Sequence, residues 1–270
     1  MSEDEVLYEV DGPVATITLN RPDRLNTMNH TLLEAALAAL EEAAGDNRVR
    51  ALILTGAGRA FCAGGDLQGM AAGGGSPGLA GGGRSVETDV GALRRHMRTS
   101  QLLREMPKLT IAAINGACAG AGLAWACAAD VRYASNTAVF NTAFMTAGLS
   151  GDFGGTWNLP RIVGPAVARE LYLTAEKFGA DEAERIGLVS KVVAPDELMG
   201  VARAKAERAA GFAPLTFAAI KANLNDSADV SFSEMLDREA ARHIRCGRTE
   251  DAREAAAAFL EKRQPVFKGR

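Results

Sequence analysis

Leu109-Thr-Ile-Ala-Ala-Ile-Asn-Gly-Ala-Cys-Ala-Gly-Ala-Gly-Leu-Ala-Trp-Ala-Cys127 decides the fold. Its first six residues, Leu109 to Ile114, read as a buried strand. The glycine-rich turn at 116–122 then leads into a helix carrying Leu123, Trp125 and Cys127. No charge occurs between Lys108 and Asp130, a run long enough to be weighed as a membrane span. Gly and Ala dominate it and Asn115 sits inside it, so it reads as the buried heart of a soluble enzyme. The next uncharged run, between Arg132 and Asp152, carries Asn136, Asn141 and several Thr, and reads the same way.

Working outward, strand and helix alternate. Upstream, Val14–Leu19 and Arg50–Thr55 read as strands. Between them Leu33, Leu37, Leu40 and Ala44 share a helix face, with Thr31 and Glu34 as a capping box and Gly45 as the stop. Leu93, Met97, Leu102, Leu103 and Met106 predict one helix ending before Pro107. Downstream, strands are expected at 131–133, 139–140 and 188–193. Such alternation is the mark of an α/β architecture. After Pro195 the pattern turns all-helical, with helices at 196–210, 214–226, 232–245 and 250–262, the third opened by the capping box Ser231-Phe-Ser-Glu234. Two regions follow: an α/β core over 1–195 and a helical region over 196–270, whose apolar faces call for a neighbouring subunit. Residues 69–83 hold eight glycines and read as a loop.

Composition narrows the function. Thirty Lys+Arg against 33 Asp+Glu give a net charge of −3, which argues against broad binding to nucleic acid or an anionic membrane. None of the four cysteines lies in Cys-x-x-Cys or at zinc-finger spacing, so neither a disulfide framework nor a metal site is expected. Reduced thiols and an acidic start, Met-Ser-Glu-Asp-Glu5, point to the cytoplasm.

Two glycine-rich turns follow buried strands: Ala60-Phe-Cys-Ala-Gly-Gly-Asp-Leu67 and Asn115-Gly-Ala-Cys-Ala-Gly-Ala-Gly122. Neither has nucleotide-binding spacing. Small residues let a backbone approach a ligand closely, and two N–H groups converging on one oxygen make an oxyanion hole; glycines that merely permit tight packing are the alternative. Gly116-Ala-Cys118-Ala-Gly120 also has the nucleophile-elbow pattern with Cys for Ser, and Asp152 and His243 follow in triad order; a small buried Cys118 is the other reading. His30 and His96 read as surface residues. Asp152, in Gly148-Leu-Ser-Gly-Asp-Phe-Gly-Gly-Thr-Trp157, is either a desolvated base or the cap of the helix starting near Gly154.

Taken in order, these segments resemble the crotonase superfamily, the enoyl-CoA hydratases and isomerases. The likeness runs through Leu19-Asn-Arg-Pro-Asp-Arg-Leu-Asn26, the two turns, Asp130–Ala134, Leu159–Gly164, Ala183–Val189 and Phe259–Pro265. It implies a spiral of ββα units with a C-terminal trimerisation region, trimers often pairing into hexamers. It implies an acyl-CoA thioester substrate, with CoA as part of the substrate and no separate cofactor. The oxyanion donors then fall on Gly65 and Ala121. CoA contacts fall on Arg24, Ala63, Asp66 and Leu67, with Phe259 and Lys262 added from the tail, of this chain or a neighbour. The 69–83 loop matches a mobile loop over the acyl pocket.

The resemblance also exposes departures. Hydratases carry two glutamates, at the positions held here by Ala124 and Phe144. Asp152 instead matches an aspartate of other branches, and its segment looks most like the ring-epoxide isomerases of phenylacetate degradation. The expectation is an isomerase that shuttles a proton on Asp152, with Phe144, Phe153 and Trp157 lining a dry acyl pocket. A hydratase recruiting Glu87 or Asp89, a Cys118 thiol hydrolase and a non-catalytic CoA-binding protein are the alternatives.

Overall fold

The computed structural model describes residues 4–71 and 85–270. A hairpin of β1 (Val6–Asp11) and β2 (Val14–Leu19) leads into α1 (His30–Gly45). Three turns of a spiral follow. The first runs through β3 (Ala51–Gly56) and β4 (Ala60–Cys62) to α2 (Leu67–Ala71), α3 (Val86–His96) and α4 (Arg98–Glu105). The second is β5 (Leu109–Ile114), β6 (Ala117–Ala119) and α5 (Ala121–Ala128). The third is β7 (Val131–Ser135) and β8 (Val139–Asn141) with α6 (Phe144–Ala147), α7 (Gly155–Val163) and α8 (Pro165–Thr174). Then β9 (Phe178–Gly179), α9 (Ala180–Arg185) and β10 (Lys191–Val193) close the sheets, before α10 (Leu198–Ala210), α11 (Pro214–Asp226), α12 (Phe232–Gly247) and α13 (Glu250–Glu261).

Because each turn repeats strand, strand and helix, equivalent strands become parallel neighbours. The six-stranded sheet runs β1-β2-β3-β5-β7-β10, and the four-stranded sheet β4-β6-β8-β9. The central strands β3 and β5 of the larger sheet are buried on both faces, which is why they read as mostly apolar runs, whereas β2 alternates and the edge strand β1 is largely exposed. Ile53, Ile111 and Ala113 face α10 through Leu198, Ala202 and Ala206. Leu52, Leu54, Ala112 and Ile114 face the opposite core with Leu33, Phe61 and Trp125. Thus α10, though helical, is part of what seals the sheet. Beyond it, α11 is tied to the core by buried Lys221, whose Nζ donates to Lys108 O at 2.9 Å and Asp130 Oδ2 at 2.7 Å.

Several local expectations need correcting. Asn29, not Thr31, caps α1: its side chain accepts from Leu32 N at 2.8 Å, while Glu34 pairs instead with Arg95 and His96. The expected helix up to Pro107 is two helices broken at Met97. His96 is buried rather than at the surface, although His30 is exposed. The strand expected at 188–193 is ordered as a strand only over Lys191–Val193. Ser231 caps α12 as its box predicts. Most of the 69–83 loop lies outside the described residues. No helix of the described residues is long and apolar enough to cross a membrane.

Candidate active site

The two glycine-rich turns lie side by side because β4 and β6 are parallel partners, with Ala60 opposite Ala117 and Cys62 opposite Cys118. Gly64 (φ +96°) and Gly120 (φ +51°) both hold backbone conformations that L side chains rarely adopt. A Cβ on Gly64 would stand 3.0 Å from Ala119 O and 3.6 Å from Gly120 Cα. The residue after each glycine, Gly65 and Ala121, therefore presents its amide in the same neighbourhood. Among the described residues neither amide has an acceptor in the chain. Ala121 opens α5, where the first N–H groups of a helix have no partner within it. Gly65 is held by flanking bonds: Met28 N donates to Gly64 O at 2.8 Å and Asp66 N to Met28 O at 3.0 Å. Gly122 presses the start of α5 onto β4, since a Cβ there would meet Cys62 O at 2.3 Å.

Asp152 lies between α6 and α7. Gly154 is the N-cap of α7, so the Asp152 carboxyl is not spent on capping the helix; only its backbone oxygen is used, accepting from Gly155 N at 3.1 Å. Phe153, at φ +48°, is driven into the core and meets Trp125 of α5 edge-on at 5.8 Å. That buried plug fixes the neighbouring carboxyl despite the strained backbone. Asp152 Oδ1 is buried without a hydrogen-bond partner. Desolvation by burial raises the carboxyl from its ordinary 3.8 to about 6. Its charge reaches Cys62, whose thiol burial pushes up to about 12 with Asp152 adding to the effect.

The positions where hydratases carry glutamate lie in this same region. Ala124 is buried on α5, and its Cβ would stand 3.1 Å from a Cβ on Gly155. Phe144 stacks on Tyr172 at 6.2 Å. Trp157 departs from expectation: it is sandwiched between the Arg104 and Arg161 guanidinium groups, at 4.2 and 3.7 Å from the ring centre.

A cleft of ≈ 400 Å³ opens beside Gly65, lined by Arg24, Ala63, Asp66, Leu67 and Gln68 among others. Four positions expected to contact CoA and one expected oxyanion donor therefore converge. Arg24 bonds Gln68 across the cleft. Asp66 is partly desolvated, yet bonds from Gly69 N and from Arg21 hold it below the usual carboxylate range. Phe259 and Lys262 are not in this cleft; they sit on α13 and at its C-cap. Sequence reasoning passed over the residues that hold these loops. Arg21 bonds Asp66 at 3.3 Å, and buried Asn26 donates to Ala57 O and Ala60 O at 3.0 and 2.8 Å. Asn115 Nδ2 likewise donates to Gly56 O and Gly58 O, both at 2.8 Å. An Asn inside an apolar run was the available signal, because a buried amide needs partners.

The thiol triad is not assembled. Cys118 is buried in β6 with its thiol raised well above the ordinary value by desolvation, whereas His243 lines a groove between α11 and α12. Glu87 is exposed on α3, held below the usual range by hydrogen bonds to its own backbone and to Ser85; Asp89 lies half-buried two residues further along. Among the described residues one group of metal-type donors occurs, His30, Glu34 and His96, within 4.8 Å of one another. Glu34 already accepts from Arg95 at 2.7 Å and lies 2.7 Å from His96 Nε2, so this cluster reads as an ion-pair clasp between α1 and α3.

Comparison with known proteins adds three kinds of likeness. The family model described as enoyl-CoA hydratase/isomerase matches residues 9–270. A protein of Rhodobacter capsulatus described as a probable enoyl-CoA hydratase is 41% identical over the whole of both chains. The 1,2-epoxyphenylacetyl-CoA isomerase of Escherichia coli is 37% identical, covering 98% of each. The crystal structure of an enoyl-CoA hydratase from Bacillus anthracis superposes with a TM-score of 0.90 at 31% identity, covering 98% of this chain and all of that one.

Proposed function

The chain belongs to the enoyl-CoA hydratase/isomerase family, and from that premise we propose that it is a double-bond isomerase of acyl-CoA thioesters, with Asp152 as its single acid–base group. The observation that carries the reading is the lone buried carboxyl of Asp152, unpartnered at Oδ1, in a site whose usual glutamate positions are Ala124 and Phe144. Water addition across a conjugated bond calls for one group to activate water and another to manage the α-proton. A proton shuttle needs one.

The chemistry follows. In a 3-enoyl-CoA the Asp152 carboxylate takes a proton from C2, and the electron pair moves onto the thioester oxygen as a dienolate. The Gly65 and Ala121 amides donate to that oxyanion; losing one such donor typically costs about 2.7–4 kcal/mol. The carboxyl, now protonated, returns its proton to C4, and the double bond comes to rest between C2 and C3. A carboxyl at about 6 suits both halves, since it is ionised at neutral pH yet less acidic than an exposed one. The Escherichia coli relative is described as an isomerase of an acyl-CoA thioester, which is in keeping with isomerisation here.

The names of other relatives favour hydration, so the test compares both outcomes. Purified protein is given 3-hexenoyl-CoA and crotonyl-CoA in heavy water. The expected result is conjugation of the first, with deuterium at carbon only to the extent that the protonated Asp152 carboxyl exchanges with solvent before delivery to C4, and no hydroxyacyl-CoA from the second. Rapid hydration of crotonyl-CoA would reject the isomerase reading.

Subunit association belongs to the same proposal. Phe232, Phe259 and Leu260 are 80–83% exposed on the C-terminal helices, an arrangement suited to burial in a homotrimer or a pair of trimers. There Phe259 and Lys262 would reach a neighbour's CoA.

A further inference from the structure

We propose that Arg21 is a positioning residue for the oxyanion hole: its guanidinium bridges the segments that flank the Gly65 amide, holds that amide on the thioester oxygen, and offsets the charge of Asp66 beside it. The inference rests on the reading of Gly65 as an oxyanion donor, and not on the identity of the acid–base group.

Arg21 is not among the residues that line the cleft beside Gly65, so it acts through its neighbours. Its own backbone is fixed first. The Arg21 amide donates to Asn26 Oδ1 at 2.8 Å, and its carbonyl accepts from Arg24 N and Asn26 N, both at 2.9 Å. Leu25 and Asn26, at φ +52° and +54°, turn the chain back on itself. The returning segment then runs along the oxyanion loop. Ala63 N donates to Leu25 O at 3.0 Å and Met28 N to Gly64 O at 2.8 Å, and Met28 pairs with Gly65 as a parallel bridge.

The guanidinium braces this pairing. Nη1 donates to Thr27 O at 2.6 Å, while Nη1 and Nη2 each lie 3.3 Å from Asp66 Oδ2. Nε lies 3.3 Å from Glu5 Oε1. One planar fork thus ties the residue before Met28 to the residue after Gly65, a geometry that a lysine, with its single compact charge, does not reproduce. Asp66 Oδ1 accepts from Gly69 N at 3.1 Å, so both oxygens of that carboxyl are held. The Arg21 and Asp66 side chains are 14% and 17% exposed, so their attraction is less screened than that of an open surface pair. The pairing also has an electrostatic use. A carboxylate one residue from a donor amide opposes the negative charge that grows on the thioester oxygen, and the nearby guanidinium offsets it. Donors stabilise an oxyanion best when they are already in place and need not reorganise.

The test reads the amide's effect on a ligand that cannot isomerise. Hexanoyl-CoA labelled with carbon-13 at the thioester carbonyl is bound to the wild type, Arg21→Met and Arg21→Lys, and its carbonyl resonance is followed by NMR. Hydrogen bonding polarises the carbonyl and moves the signal downfield in the wild type. Arg21→Met should still bind the thioester yet lose most of that displacement. Arg21→Lys, which keeps the charge but not the fork, should lose part of it and covers the case of a Met variant that does not fold. With 3-hexenoyl-CoA, Arg21→Met should lower kcat by about 100-fold while KM changes less than about threefold, the split expected when a group is misplaced for the transition state and not for binding. A wild-type displacement in either variant, or a raised KM with kcat retained, overturns the proposal. A wild type whose signal does not move overturns it together with the Gly65 assignment. Displacement as expected in a protein that does not conjugate 3-hexenoyl-CoA supports the role of Arg21 and rejects the isomerase reading alone.

Discussion

Replacing Asp152 by Asn should remove turnover and, at the same time, stabilise the protein at alkaline pH. Asn keeps the shape but cannot ionise. Burial raises the carboxyl from 3.8 to about 6, so the native state prefers the protonated form. The resulting stabilisation is complete below about pH 3.8, fades as the pH climbs through about 6, and is gone above it. Every tenfold change in acidity is worth about 1.4 kcal/mol, so the ionised carboxylate strains the fold by about 3 kcal/mol at pH 8. Asp152→Asn should therefore raise Tm by about 5–10 °C at pH 8, and change it little near pH 4. Thermal unfolding of both proteins at fixed concentration across that range measures the difference, and 3-enoyl-CoA conjugation measures activity. Equal shifts at both pH values would show that the carboxyl is not desolvated, and wild-type turnover in the Asn variant would remove it from the chemistry.

The other expectations concern separate parts of the site. In the wild type kcat/KM should rise with pH around a midpoint near 6, because the base must be ionised; a flat profile from pH 5 to 8 would exclude Asp152 as the base. Gly122→Ala places a Cβ 2.3 Å from Cys62 O, backbone against backbone, and should abolish activity or solubility, as expression yield and turnover will report. Asn26→Ala leaves the Ala57 and Ala60 carbonyls without their donor and should cost about 2–4 kcal/mol in denaturant unfolding. Asn29→Ala should cost about 1 kcal/mol while Thr31→Ala costs little, and the reverse order would restore the capping box that the sequence suggested.

Strand order and chemistry were written into the chain unevenly. Val14–Leu19 was legible to the residue from its alternating branched residues and Leu109–Ile114 from the apolar run that a strand buried on both faces needs, and both are local properties. The C-terminal helices were legible from periodicity and, at Ser231, from a cap. The short strands β4, β6 and β9 were not, since two or three residues carry no period and their partners lie far along the chain, and β1, although six residues long, is largely exposed and lacks an apolar face to read. The glycine pattern marked the two turns and the family resemblance put the donors on Gly65 and Ala121, but it is the parallel pairing of β4 with β6 that sets the two turns side by side. Likewise the sequence left Asp152 balanced between cap and base. Phe153 plugging against Trp125, and Gly154 taking the cap, leave its carboxyl desolvated with Oδ1 buried and unpartnered. His96, read as a surface residue among arginines, is buried because α3 folds back over α1, and the Trp157 ring is covered by two guanidinium groups. Residue type and spacing fix which groups are available; desolvation, which sets what those groups can do, depends on neighbours that only the folded chain supplies.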